Sequence, residues 1–242
     1  PTGKYYDAKT ITELILHAHL RGIRHILLDL MYQMNIDDKN LLYDWKTILS
    51  ALPKEVRACV TLLDGLTKSV GASNCRAAHL WCGDVKTAKI ISAIASHTVL
   101  PNVLGEALMY EVYKHTHPPS HPWVEAITQP TSKSRALFKT KMMELNYSFI
   151  ADQGYYAFVD VRRWIGVQPH PDLLQNQDTG TMTQMKTVDD LTTHLAQMHG
   201  IAIVPGGPFL QPNFIRFSLA QNPDLMLPAI ERFDTALKTL VH

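Results

Sequence analysis

An excess of either charge is missing from this chain. Its 242 residues hold 23 Lys and Arg against 22 Asp and Glu, a net charge of +1. That balance offers no electrostatic argument for binding nucleic acid or an anionic membrane. Long apolar runs are missing too: none approaches the roughly 20 residues of a membrane span. The start carries no signal-peptide pattern. Cysteine is scarce, and Cys59, Cys75 and Cys82 form no C-x-x-C pair. An odd, sparse set suits free thiols in a reducing compartment, so a cytoplasmic location is expected. No internal repeat or low-complexity segment is present. Metal-ligand spacing is absent as well. His115, His117 and His121 stand among prolines and a serine, with no fixed helical spacing. They read as a loop or hinge, and no metal site is expected. Lys133, Arg135, Lys139 and Lys141 are too few for a nucleic-acid patch and read as the solvated face of a helix.

What is present is a globular composition, 46% hydrophobic and 19% charged. The length allows one large domain or two small ones, with a sizeable core. Pro1-Thr2-Gly3-Lys4 is a turn sequence with no element before it and no initiator methionine. The expectation is a chain that begins part-way through a fold. Asp7 or Thr10 can then cap a helix with Ile11, Leu14, Ile15 and Ala18 at helical spacing, ended by Gly22. Ile26 to Leu28 predicts a strand buried on both faces and ending at Asp29. A helix is expected from about Leu41 to Leu52, stopped by Pro53, then a strand over Ala58 to Leu63 and another over Ala77 to Cys82. Alternating strands and helices of this kind indicate an α/β fold, whose ligands bind beyond the carboxyl ends of the strands.

Helices are expected over Asp84 to Ser96 and Asn102 to Lys114. Pro130 reads as a break, with Thr131 or Ser132 capping a helix to about Leu145. Beyond it the pattern predicts a strand over Tyr155 to Val161, a turn-rich loop over Asp172 to Thr187 and a helix over Val188 to His199 closed by Gly200. A short strand over Ile201 to Val204, a strand over Phe214 to Leu219 carrying Arg216, and an amphipathic helix within Pro223 to Leu240 complete it. The division expected is residues 1–130 and 131–242, the second being a small α+β domain.

The stretch that organises the chain is Leu62-Leu63-Asp64-Gly65-Leu66-Thr67-Lys68-Ser69, with Arg76 eight residues after Lys68. An apolar run delivers the chain to a lysine among small and hydroxyl residues. Such a setting can strip water from the amine and leave room for a ligand. An arginine nearby can hold an anionic group bidentately. The plain alternative is a surface lysine in a loop. Asp29 ends one strand and Lys68 follows another, so two separate runs bring polar groups to one sheet edge.

The ordered set Pro-Thr-Gly, Asp29-x-x-Tyr32, Thr67-Lys68, Arg76 and Phe214-Ile-Arg216-Phe-Ser resembles the class I/II aminotransferases. These are pyridoxal phosphate enzymes of the aspartate aminotransferase fold type, and the resemblance runs along essentially the whole chain. It implies that Lys68 forms a Schiff base with the cofactor and that Asp29 pairs with the pyridine nitrogen. It implies that Tyr32 hydrogen-bonds the ring oxygen, Arg76 grips the phosphate and Thr67 is a hydroxyl beside the lysine. Arg216 matches the arginine that binds the substrate α-carboxylate. In the family an asparagine precedes the Pro-Thr-Gly turn. A serine often stands three residues before the lysine. Here that position is Gly65, so one phosphate contact is lost or supplied by backbone. The fold implied is the second half of the large domain, mostly parallel sheet with flanking helices, plus the carboxyl-terminal small domain. The N-terminal half is expected to lie outside this chain. The activity implied is amino transfer between an α-amino acid and a 2-oxo acid, by a homodimer. A lyase or decarboxylase of the same fold, or a non-catalytic regulatory module, stays open.

Overall fold

The computed structural model describes residues 2–98, 102–114, 121–169 and 185–241. The chain divides into two compact units, Tyr5–Gln129, and Pro1–Lys4 with Pro130–His242.

In the Tyr5–Gln129 unit, Asp7 accepts the Thr10 amide at 2.7 Å and starts helix α1, Ala8–Leu20. The chain turns at Gly22, whose φ is +83°, and enters strand β1, Ile26–Asp29. A four-residue turn over 31–34 follows. Helix α2 covers Trp45–Ala51 and is capped by Asp44. It starts later than expected because residues 39–41 form a separate 3-10 turn. Lys54–Ala58 is helix α3 and strand β2 is Val60–Gly65. The expected strand from Ala58 is thereby corrected: a proline at the N-cap lets Lys54 to Ala58 close a helical turn first. Strand β3 is Ala78–Cys82, helix α4 Val85–Thr98 and helix α5 Val103–Tyr113, capped by Asn102.

β1 pairs with β2 in parallel, Asp29 opposite Leu63. β2 pairs with β3 antiparallel, Gly65 opposite Ala78. This three-stranded sheet is mixed rather than mostly parallel. β1 is also less covered than its sequence suggests. Leu28 faces a core of Ile15, Leu30, Leu49, Leu52, Val56, Val60 and Leu62, whereas Leu27 is 61% exposed. A second, smaller core gathers Met34, Leu66, Val112 and Val124.

Helix α6 runs unbroken over Pro122–Glu144 with Pro130 inside it, and the division between the units falls at that proline. An interior proline removes one helical hydrogen bond and costs about 3 kcal/mol. Packing on either side overrides it: Val124 is fully buried before the proline, and Thr131, Ser134 and Arg135 are buried after it. Thr131 is thus a helix-interior residue and not a cap. Arg135 likewise leaves the solvated face expected of it, donating to the Gly154 carbonyl. Lys141 on the same helix pairs with Glu231 at 3.1 Å.

In the Pro130–His242 unit, strand β4 is Phe149–Ile150, β5 Tyr156–Asp160, β6 Gln168–Pro169, β7 Val204–Pro205, β8 Phe214–Ser218 and β9 Leu240–Val241. Helix α7 is Val188–His199 and α8 Pro223–Lys238. A capping box between Thr187 and Asp190 opens α7, and Gly200 at φ +61° closes it. The main sheet has the order β4-β5-β8-β7, with each neighbouring pair antiparallel. Its core is large and aromatic, with Phe138, Trp164, Leu191, Ile215, Phe233 and Leu237 among the buried residues. The short strands β4, β6 and β9 were not expected; two-residue ladders carry too little alternation to be read from sequence. The expected strand over Ile201 to Val204 is displaced to Val204–Pro205. The loop expected over Asp172 to Thr187 lies mostly outside the described residues, as do His115 and His117. His121 is buried, and its Nδ1 accepts the Trp123 amide at 3.2 Å.

Candidate active site

The three strands of the Tyr5–Gln129 unit collect five charged or polar groups at one edge. Asp29 is the last residue of β1. Tyr32 lies in the turn that follows. Thr67 and Lys68 lie in the turn just beyond the carboxyl end of β2. Arg76 stands two residues before β3, which runs antiparallel, so its start is at the same edge. Parallel pairing of β1 with β2 and antiparallel pairing of β3 are what make these ends coincide.

Asp29 is exposed and accepts the Met31 amide at 3.1 Å. The Lys68 ammonium lies 6.0 Å from the centroid of the Tyr32 ring, an outer limit for attraction between a cation and an aromatic face. Thr67 and Lys68 are half-buried. Arg76 is exposed, and its guanidinium donates to the Ser73 carbonyl at 3.4 Å. Its backbone is left-handed, φ 47°, which costs a non-glycine residue about 1–3 kcal/mol. The strain is held by α5. Asn102 donates its side-chain amide to the Cys75 carbonyl at 2.6 Å, and Gly105 comes so close that a Cβ would sit 2.9 Å from that same oxygen. Among the described residues, neither Asp29 nor Arg76 makes an ion pair.

Beneath the edge lies a network the sequence did not reveal. Asp64, 6% exposed, accepts the Gly65 amide at 2.7 Å, the Tyr113 hydroxyl at 3.3 Å and the Gln33 side-chain amide. Gln33 in turn accepts the Trp45 indole N–H at 2.9 Å. The Tyr113 ring meets His79, the β3 residue opposite Asp64, edge-on at 5.1 Å. Burial pushes the Asp64 carboxyl above the ordinary carboxylate range; its hydrogen bonds only partly hold it down. Burial, and then the Asp64 charge, push the Tyr113 hydroxyl up. The available signal was a carboxylate directly after the apolar pair Leu62-Leu63, four residues before Lys68.

Gly65 is explained by space. A Cβ there would sit 2.9 Å from the Ala77 carbonyl and 3.2 Å from the Ala78 Cα. Its N–H is already committed to Asp64. The backbone at Gly65 therefore does not replace the hydroxyl that a serine would offer. Ser69, 1% exposed, points its hydroxyl to the Gly65 carbonyl at 3.5 Å.

Arg216 belongs to the other unit, in the middle of β8, opposite Phe158 on one side and Val204 on the other. Its guanidinium lies 4.2 Å from the centroids of both Tyr156 and Phe209. Two aromatic faces hold it in place, and among the described residues it makes no ion pair, so its fork can take a carboxylate. Gly3 lies in the same unit at φ +76°, its carbonyl accepting the amides of Asp152 and Gln153. A carboxylate, a phenol, an amine and a guanidinium at one sheet edge form a donor set that fits a phosphorylated pyridine aldehyde.

Comparison with known proteins gives a consistent result. The chain is 24% identical over 237 residues to the aspartate aminotransferase of Geobacillus stearothermophilus, covering 96% of this chain and 53% of that one. It is 23% identical over 242 residues to that of Bacillus sp. (strain YM-2), covering 98% and 55%. The chain thus spans about half the length of the curated relatives it matches. The aspartate aminotransferase of Rhizobium meliloti superposes with a TM-score of 0.77 at 19% identity, over 100% of this chain and 56% of that one. The aromatic aminotransferase of Pyrococcus horikoshii superposes at 0.74 and 18% identity, over 98% and 57%. These likenesses establish the fold, that of one part of an aspartate aminotransferase. Residues 1–233 match the family described as Aminotransferase class I and II, and the chain belongs to that family.

Proposed function

We propose that the intact protein is a pyridoxal phosphate-dependent aminotransferase, exchanging the amino group of an α-amino acid with a 2-oxo acid. The observation that carries the reading is the convergence of Asp29, Tyr32, Lys68 and Arg76 on one sheet edge from three separate segments. Bound pyridoxal phosphate supplies an electron sink for a carbanion at the substrate α-carbon. The Asp29 carboxylate would keep the pyridine nitrogen protonated, and the Tyr32 hydroxyl would donate to the ring oxygen. Arg76 would hold the phosphate with the Thr67 hydroxyl beside it. The Lys68 amine would hold the cofactor at its aldehyde carbon and would be placed to move a proton at the substrate α-carbon as a general acid/base. Arg216 would bind the substrate α-carboxylate through two parallel N–H donors. The same reading carries a homodimer, checked by sedimentation of the intact protein, and a cytoplasmic location.

The test is spectroscopic. The intact protein with pyridoxal phosphate is expected to show the absorbance band of lysine-bound cofactor, lost in Lys68→Ala. Adding amino acids singly, without a 2-oxo acid, should convert that band to the aminated cofactor for at least one of them. No conversion with any common amino acid overturns the aminotransferase reading.

A further inference from the structure

Lys68 and Tyr32 are carried by different segments, and neither turn is part of regular structure. Something must hold the two turns in register. Gln33, the neighbour of Tyr32, reaches across from the first turn and donates to Asp64, which precedes the Lys68 turn. The opposite end of the same amide accepts from Trp45 on α2. Both ends of the Gln33 side chain are therefore engaged, which fixes its amide orientation. Below it, Met34 from the first turn and Leu66 from the second share one small core with Val112 of α5 and Val124 of α6. Asp64 itself is fastened from the far side by Tyr113 and by its own neighbour Gly65.

We propose that Asp64 is a positioning residue for the site, acting through Gln33 to set the Tyr32 turn against the Lys68 turn. A buried carboxylate with three donors is a rigid anchor, because each donor lost leaves an unsatisfied charge in a poorly hydrated place. The strand carrying it ends one residue later at Gly65, where the close approach of Ala77 bars any side chain. The lysine turn is thus built on a fixed point, and Gln33 extends that fixed point to the tyrosine turn. His79 and Tyr113 are the titratable groups facing Asp64 from β3 and α5, and Gln33 faces it from the Tyr32 turn without charge.

The inference rests on the proposed cofactor role of Lys68, and its test separates the two. In the intact protein with pyridoxal phosphate, Gln33→Leu and Asp64→Asn are expected to weaken cofactor affinity about tenfold, the scale of one lost hydrogen bond to a charged group. They should also move the pH titration of the lysine-bound band. Tyr113→Phe, which removes a donor on the far side of Asp64 but keeps the Gln33 bond, should lower thermal stability and shift the band's titration less than Gln33→Leu does. The double variant Gln33→Glu with Asp64→Asn reverses the polarity of the pair and should restore both affinity and titration. Gln33→Leu decides alone if Asp64→Asn does not fold. Wild-type affinity and titration in Gln33→Leu, shifts no larger than those of Tyr113→Phe, or no recovery in the double variant overturns the proposal. A wild-type protein with no band would instead sink the cofactor reading. The clamp is then still read by the rate of amine labelling at Lys68, measured by mass spectrometry. Gln33→Leu should change that rate at Lys68 and leave it unchanged at exposed Lys86. An unchanged rate at Lys68 overturns the clamp as well.

Discussion

The two units bury their apolar side chains to very different extents. The Pro130–His242 unit wraps an antiparallel sheet with helices around one aromatic-rich core, where Phe138, Phe233 and Leu237 are fully covered. The Tyr5–Gln129 unit has two small cores and leaves Leu27, Trp81, Ile90, Ile94 and Leu104 exposed. The candidate cofactor residues stand in the second of these, and Arg216 stands in the first. The physical difference lies in the sheets. Strand β1 is partly covered on one face only, and β3 is exposed from Ala78 to Trp81. Burial of apolar surface is the main source of stability. The group that would bind the substrate carboxylate is held by a dense core. The groups that would bind the cofactor depend on local clamps: Asn102 on Cys75, Gln33 on Asp64, and the close approach at Gly65.

That contrast can be broken or sharpened. The largest effect is expected from Phe233→Ala, which opens a cavity in the dense core. It should cost about 3–5 kcal/mol in urea unfolding, and a cost near that of a surface change would refute the difference in packing. Arg216→Ala in the intact protein should lower kcat/KM by about 1.5–3 kcal/mol, on the order of 10- to 150-fold, because a charged hydrogen-bonded pair is lost. Arg216→Lys should recover little, since the lysine lacks the planar fork. Gly65→Ser restores the family's hydroxyl but drives a Cβ against the Ala77 carbonyl. It should lose about 1–3 kcal/mol of stability and gain no cofactor affinity, read by unfolding and by absorbance titration.

His194 gives a pH test within the dense unit. It is buried, its Nε2 meets no partner among the described residues, and burial with the neighbouring His199 charge lowers its pKa below 6.5. The unfolded chain then binds the extra proton more readily, so stability should be full above 6.5 and fall as pH drops through and below it. His194→Leu should flatten that fall in a urea-midpoint series. An identical slope would remove His194 as its source. The smallest effect is expected for Ile94→Ala on the exposed face of α4, within about 0.5 kcal/mol for this chain alone. A loss above about 2 kcal/mol in the intact protein would mean the face is covered there.

Much of the candidate site was legible because its residues sit at strand ends, where a polar group following an apolar run stands out. Asp29 after Ile26-Leu27-Leu28 and Lys68 after the β2 run are of this kind. Helix limits were legible where capping chemistry is local, as at Asp7, Asn102, Thr187 and Gly200. What failed depended on distant packing. Pro130 marks a helix break in every local rule, yet the helix continues because buried residues hold it on either side. Arg135 reads as a solvated charge, yet its guanidinium is buried on the Gly154 carbonyl.

By itself, the sequence determined which groups are available to a cofactor and a carboxylate. It also set where strands end, because apolar periodicity and capping act over a few residues. Only the tertiary structure decided that β3 runs antiparallel and brings Arg76 to the edge shared by Asp29 and Lys68. It alone showed why a glycine stands three residues before Lys68. It alone joined Asp64 to Gln33 and Tyr113, 31 and 49 residues from it along the chain, and Gln33 to Trp45. Such pairings are set by which elements meet in space, and no local pattern records them.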